Sequence, residues 1–200
     1  MESAKEWDAD LDPLGTFDQI HAVGAFALYY NRLEMGLYAF FQRYVDATHE
    51  AHSYLYSTLY NRQRVDFIKV MASARETPEL AASIHKALRC FDVCAENRNL
   101  LLHALPEVPA SPPREGLRLL KGSKAKPGLL TSYEFSLESI RAAALAVAAV
   151  EDYIYDLMRA LRDQEALNPL TGAPPPELPL PPPQPRKLSL SRLPEAQQAD

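Results

Sequence analysis

The chain has 200 residues, 47% of them hydrophobic and 24% charged, with a formal net charge of -5. These values belong to an ordinary globular chain long enough for one domain with a sizeable core. They exclude a collagen-like or fully disordered chain, and the negative total excludes nucleic-acid capture by bulk charge alone.

Residues 1–15 form an acidic N-terminal segment without the apolar stretch of a secretory leader, so a cytoplasmic location is expected. The longest apolar run, residues 142–150, is too short to span a bilayer, which predicts no membrane partner. Thr16 with Gln19 three residues on has the form of a capping box. Ile20, Val23, Ala27, Tyr30, Leu37, Phe41 and Val45 then recur at a helical period, predicting a first helix to about residue 46. A polar link over residues 48–53 leads to a second helix through Leu55, Leu59, Phe67, Ile68 and Met71. Thr77-Pro78-Glu79 is a helix start with cap, proline and first-turn acid in order. The third helix buries Leu80, Ile84, Leu88, Phe91, Ala95 and Leu102 and ends before Pro106.

Beyond a proline-rich break, residues 116–120 and 129–135 flank a Gly/Lys-rich turn, predicting a short two-stranded hairpin. Ser136 caps a last long helix to about residue 162. Ten of the 17 prolines lie between Pro169 and Pro194, so residues 166–200 are expected to be a disordered tail, with the stretch from Pro174 to Pro185 resembling a PxxP-type ligand. The fold class is therefore all-α, a four-to-five-helix bundle over residues 16–165 with a hairpin-like insertion before the last long helix. Cys90 and Cys94, four apart on one helix, read as buried free thiols. His21, His49, His52 and His85 lack metal-ligand spacing, and neither a metal nor another cofactor is expected. Tyr54, Tyr56 and Tyr60 form an aromatic patch better suited to packing than to base stacking.

The chemistry concentrates at residues 98–103. With 100° per residue, Arg98 falls in the middle of the buried stripe of the third helix, whereas Asn99 and His103 fall on a polar stripe with Asp92 and Glu96. Arg98 and His103 stand roughly 140° apart, so a straight helix does not aim both at one ligand, and a second copy of the helix about a two-fold axis is needed to bring them together. Glu34 occupies the centre of the first helix's stripe. Two buried opposite charges on facing helices predict a Glu34–Arg98 pair, which either locks the bundle or serves chemistry. The other reading of Arg98 is snorkelling at the helix end.

Arg98, Asn99 and His103, placed near the end of the penultimate helix, resemble the Arg-x4-6-His signature of the HEPN (higher eukaryotes and prokaryotes nucleotide-binding) family. The resemblance covers about residues 15–165 by helix order, and only the six-residue motif is specific. It implies RNA binding and, in active members, metal-independent endoribonuclease activity of toxin or defence type at a homodimer interface, with an antitoxin or nucleotidyltransferase as partner protein. Carried over, His103 is the acid/base, Arg98 the group that stabilises the phosphate, and Asn99 a helper. Glu34 and Glu96 stand behind them, Glu96 beside the histidine as a charge able to raise its pKa. Arg62, Arg64, Arg118, Lys121, Lys124 and Lys126 are the cations expected to steer RNA. The alternative is a non-catalytic helical interaction or nucleotide-binding module in which Arg98 and Glu34 are structural. A third is a helical scaffold that presents its proline-rich tail.

Overall fold

The computed structural model describes residues 15–106, 116–122, 130–171, 177–188 and 191–192. Five helices dominate: α1 (Phe17–Tyr44), α2 (His49–Thr58), α3 (Asn61–Arg75), α4 (Pro78–Leu101) and α5 (Leu137–Thr171). To them is added one antiparallel sheet in the order β1 (Leu105–Pro106), β2 (Gly116–Gly122), β3 (Leu130–Ser136), β4 (Ser191–Arg192). The fold is thus largely helical but not all-α. The expected hairpin is present as β2 and β3, held in register from Gly116↔Ser136 to Gly122↔Leu130, and two short flanking strands widen it.

Local chemistry sets most boundaries. Thr16 and Gln19 close their capping box, with Gln19 Oε1 accepting from the Thr16 amide at 3.0 Å and Thr16 Oγ1 accepting from the Gln19 amide at 3.3 Å. Thr77 accepts from the Leu80 amide and Ser136 from the Ser139 amide in the same way. The expected second helix is two helices. Leu59 and Tyr60 are extended between them, and the new start is fixed by Gln63 Oε1 accepting from the Tyr60 amide at 2.9 Å. α5 runs past the expected end near residue 162 to Thr171.

The chain divides into two compact units. One comprises Met1–Ala27, Ala95–Leu145 and Arg186–Asp200; the other comprises Leu28–Cys94 and Ala146–Pro185. In the second unit the core is built from Tyr30, Leu33, Leu37, Phe40 and Phe41 of α1, Ile68 of α3, Ile84, Leu88 and Phe91 of α4, and Ile154 and Leu157 of α5. Glu76 joins the C-terminal ends of α1 and α3, accepting from Arg43 Nε at 2.8 Å and from the Tyr44 hydroxyl at 3.0 Å. Cys90 and Cys94 are free and buried as expected. Burial pushes the Cys94 thiol up to about 12, which keeps it unreactive at neutral pH.

The buried faces match expectation at Tyr30, Leu37 and Phe41 of α1 and at Leu80, Ile84, Leu88 and Phe91 of α4, and differ at other positions. On α1 the core side also runs through Ala22, Phe26, Leu33, Phe40 and Tyr44, while Ile20 is exposed and Val23 and Ala27 are half-buried. Glu34 is on the flank of this face, half-buried, accepting at Oε1 from Asn61 Nδ2 at 3.2 Å. The buried carboxylate is instead Glu151, 1% exposed, whose Oε1 lies 2.6 Å from Arg32 Nη2.

Two outcomes follow from this packing. Gly36 faces Ile154 so closely that a Cβ there would stand 2.8 Å from Ile154 Cγ2. Gly36→Ala should lower stability by about 1 kcal/mol, overpacking outweighing the gain in helix propensity, seen as a lower urea midpoint with an unchanged slope; a raised midpoint contradicts the packing. Desolvation raises the Glu151 pKa above its usual 4.5, against the opposing pull of Arg32. The folded state therefore favours the protonated acid, and stability falls as pH rises from 4.5 through the raised value. Glu151→Gln should remove that fall in a pH series of chemical denaturation; an unchanged profile counts against it.

Candidate functional site

The candidate residues gather where α4 ends. The last regular bond, Leu102 N–H to Arg98 C=O at 2.8 Å, closes the helix at Leu101, and residues 102–104 turn toward β1. His103 is therefore not a helical residue, and the 140° separation expected of a straight helix does not apply. The turn carries the ring back so that Arg98 Nη1 lies 2.5 Å from His103 Nε2, and the same nitrogen donates to Asn99 Oδ1 at 3.2 Å. A guanidinium has only donors, so in this arrangement Nε2 is the acceptor and the imidazole proton is on Nδ1. One chain suffices to bring Arg98, Asn99 and His103 together; no second copy is required for it.

Lys121 joins them from β2, its ammonium donating to the Asn99 carbonyl at 3.4 Å. A cation there satisfies one of the carbonyls left open at a helix C-terminus and lies with the negative end of the helix dipole. The result is an exposed patch with a guanidinium, an ammonium, an amide and an imidazole within reach of one another. Such a set binds an anionic oxygen and offers a group able to move a proton near neutral pH.

The acids expected beside the histidine are paired elsewhere. Glu96 Oε2 meets Lys187 Nζ at 2.6 Å, and Asp92 Oδ2 meets Lys69 Nζ at 3.5 Å. Their repulsion toward a phosphate is reduced accordingly.

Arg98 itself is half-buried rather than central to the core. The buried polar residue of this stretch is its neighbour Asn97, 1% exposed. Toward its end the buried face of α4 passes through Cys90, Cys94, Asn97 and Leu101, not through Ala95, Arg98 and Leu102, which are half-buried. Glu34 belongs to the other unit. The partners seen are Asn61 for Glu34, and Asn99 and His103 for Arg98.

The remaining cations separate. Arg118 is bound to Glu134, Nη2 to Oε2 at 3.2 Å, and being three residues from Lys121 on β2 it points to the other sheet face. Arg62 and Arg64 belong to the other unit. Arg64 lies 3.8 Å over the Tyr56 ring and donates to Tyr56 O and Asn61 Oδ1, so its role there is packing. Arg62 is highly exposed, 3.9 Å from Asp66. Lys124 and Lys126 lie outside the described residues. Tyr56 packs on Tyr38 and Phe41, whereas Tyr54 and Tyr60 are exposed.

Sequence reasoning missed Asn97 and Lys187. Cys90, Cys94 and Leu101, seven and three residues before Asn97 and four after it, were the signal that Asn97 is on the inner face. Among the described residues no three His, Cys, Asp or Glu side chains cluster as a metal site requires, and no helix is long and apolar enough to cross a membrane. Comparison with protein-family models, with curated proteins and with solved structures gave no match.

Proposed function

We propose that the chain is a HEPN-like RNA-binding protein of toxin or defence type, acting in the cytoplasm as a metal-independent endoribonuclease at the Arg98–Asn99–His103 patch. The observation that supports this reading is the meeting of Arg98, Asn99 and His103 within one chain, with Lys121 alongside.

An RNA phosphate would take the place of the contact between guanidinium and imidazole. Arg98 and Lys121 then hold its non-bridging oxygens, and Asn99 fixes its orientation. The freed Nε2 removes the proton of the adjacent ribose 2′-hydroxyl. The 2′-oxygen attacks phosphorus, the bond to the 5′-oxygen breaks with its electron pair, and that oxygen takes a proton from a second donor. The products are a 2′,3′-cyclic phosphate and a 5′-hydroxyl. In a homodimer a second copy of the patch supplies the second donor, and an antitoxin-type or nucleotidyltransferase partner protein covers the patch at rest.

The second reading is a non-catalytic module, favoured by the way these groups already satisfy one another: Arg98 binds His103, and Lys121 serves as the C-terminal cation of α4.

Cleavage of a mixed RNA panel in the presence of a chelator separates the two. His103→Ala should reduce cleavage by roughly 10²–10⁴-fold, the range of a lost general acid or base, with the unfolding midpoint unchanged. Lys121→Ala should weaken binding across sequences and lower the salt slope by about one. Equal cleavage by wild type and His103→Ala removes the enzyme reading. RNA binding without any cleavage leaves the module.

A further inference from the structure

A second recognition device adjoins the patch and involves none of its residues. Asn97 is all but fully buried, and its carboxamide spans two peptide groups of a distant segment. Nδ2 donates to the Arg186 carbonyl at 3.0 Å, and Oδ1 accepts from the Leu188 amide at 2.9 Å. In an extended chain the carbonyl of one residue and the amide two residues on point the same way, so one carboxamide bonds both as a residue of a neighbouring parallel strand would. These bonds read backbone alone. Side chains add selectivity: Lys187 reaches Glu96 at 2.6 Å, and Leu188 is buried. A few residues later Ser191 and Arg192 pair with Glu134 and Tyr133, adding β4 antiparallel to the edge of β3. Backbone bonds along a sheet edge, combined with one charged and one apolar side-chain position, are the elements of strand-addition peptide recognition.

We infer that Glu96, Asn97 and the edge of β3 form a docking groove for an extended peptide carrying a basic residue followed by leucine, and that the chain's own residues 186–188 and 191–192 are its displaceable resident. The Lys187–Glu96 pair is more than half exposed on both sides, so it contributes little and weakens with salt. An edge strand that is covered by a removable segment is protected from wrong pairing while the segment is on, and open to a partner strand when it is off. The contacts named for residues 186–188 are to Glu96 and Asn97, so the inference is independent of whether RNA is cleaved.

The full-length chain tests it by amide hydrogen exchange and by binding of a labelled synthetic peptide with the sequence of residues 184–193. In the wild type the Leu188 amide should exchange at least tenfold more slowly than in the free peptide. Lys187→Glu, which alters the occupant and not the groove, sets two like charges against each other and should lower that protection, and Glu96→Lys in the same chain should restore it. The Lys187→Glu chain should capture the labelled peptide more tightly than the wild type, whose groove is filled, and adding Asn97→Ala should abolish capture. The charge-swap pair carries the test if Asn97→Ala fails to fold. An unprotected Leu188 amide, or equal capture by all chains, overturns the groove. Protection that rises with protein concentration assigns the occupant to a second copy and overturns its placement within the chain.

Discussion

The end of α4 at Leu101 is the constraint on which the candidate site depends. A helix leaves its last carbonyls without intrahelical partners, and each needs another donor or water. Here Leu102 closes on Arg98 and Lys121 reaches the Asn99 carbonyl. The chain is then free to turn into β1, whose Leu105 and Pro106 pair with Leu120 and Leu119 of β2. The same turn that starts the sheet places His103 over Arg98. Had the helix continued one more turn, imidazole and guanidinium would face different directions, and any shared ligand would need a second chain.

Burial at this end of α4 is divided between adjacent residues with different chemistry. Asn97 goes inward and Arg98 stays at the boundary. A carboxamide is the cheaper group to bury because two backbone bonds satisfy it, whereas a guanidinium in the core would lose far more hydration. Asn97 therefore converts what would be a destabilising polar group into the fixed point for Arg186 and Leu188. Glu96 and Lys187 neutralise each other just outside.

How far the sequence discloses this depends on whether the deciding interaction is local. Thr16 with Gln19, Thr77 before Pro78, and Ser136 announce their helices because a cap acts over three residues. The hairpin of β2 and β3 and the buried thiols were legible for similar reasons. The helical faces were legible only in part, since α1 carries apolar residues around much of its circumference and leaves Ile20, Leu28 and Met35 exposed. The end of α4 was hidden because Leu100-Leu101-Leu102 continues a helical pattern with no glycine or proline before Pro106. The ordering of residues 186–188 depends on an asparagine 89 residues from Arg186; composition suggested only a proline-rich tail. At the site, the residue types at 98, 99 and 103 were readable, while their meeting within one chain was a matter of where the helix stops.

The most direct measurement of that meeting is nitrogen NMR of the His103 ring, with and without a 2′-O-methyl RNA that binds but has no hydroxyl to attack. The account predicts an unprotonated Nε2 and a protonated Nδ1 in the free protein, followed by joint shifts of the His103 ring and the Arg98 guanidinium when the RNA is added. A ring protonated on Nε2 in the free protein, or RNA binding that leaves both side chains unmoved, would contradict it.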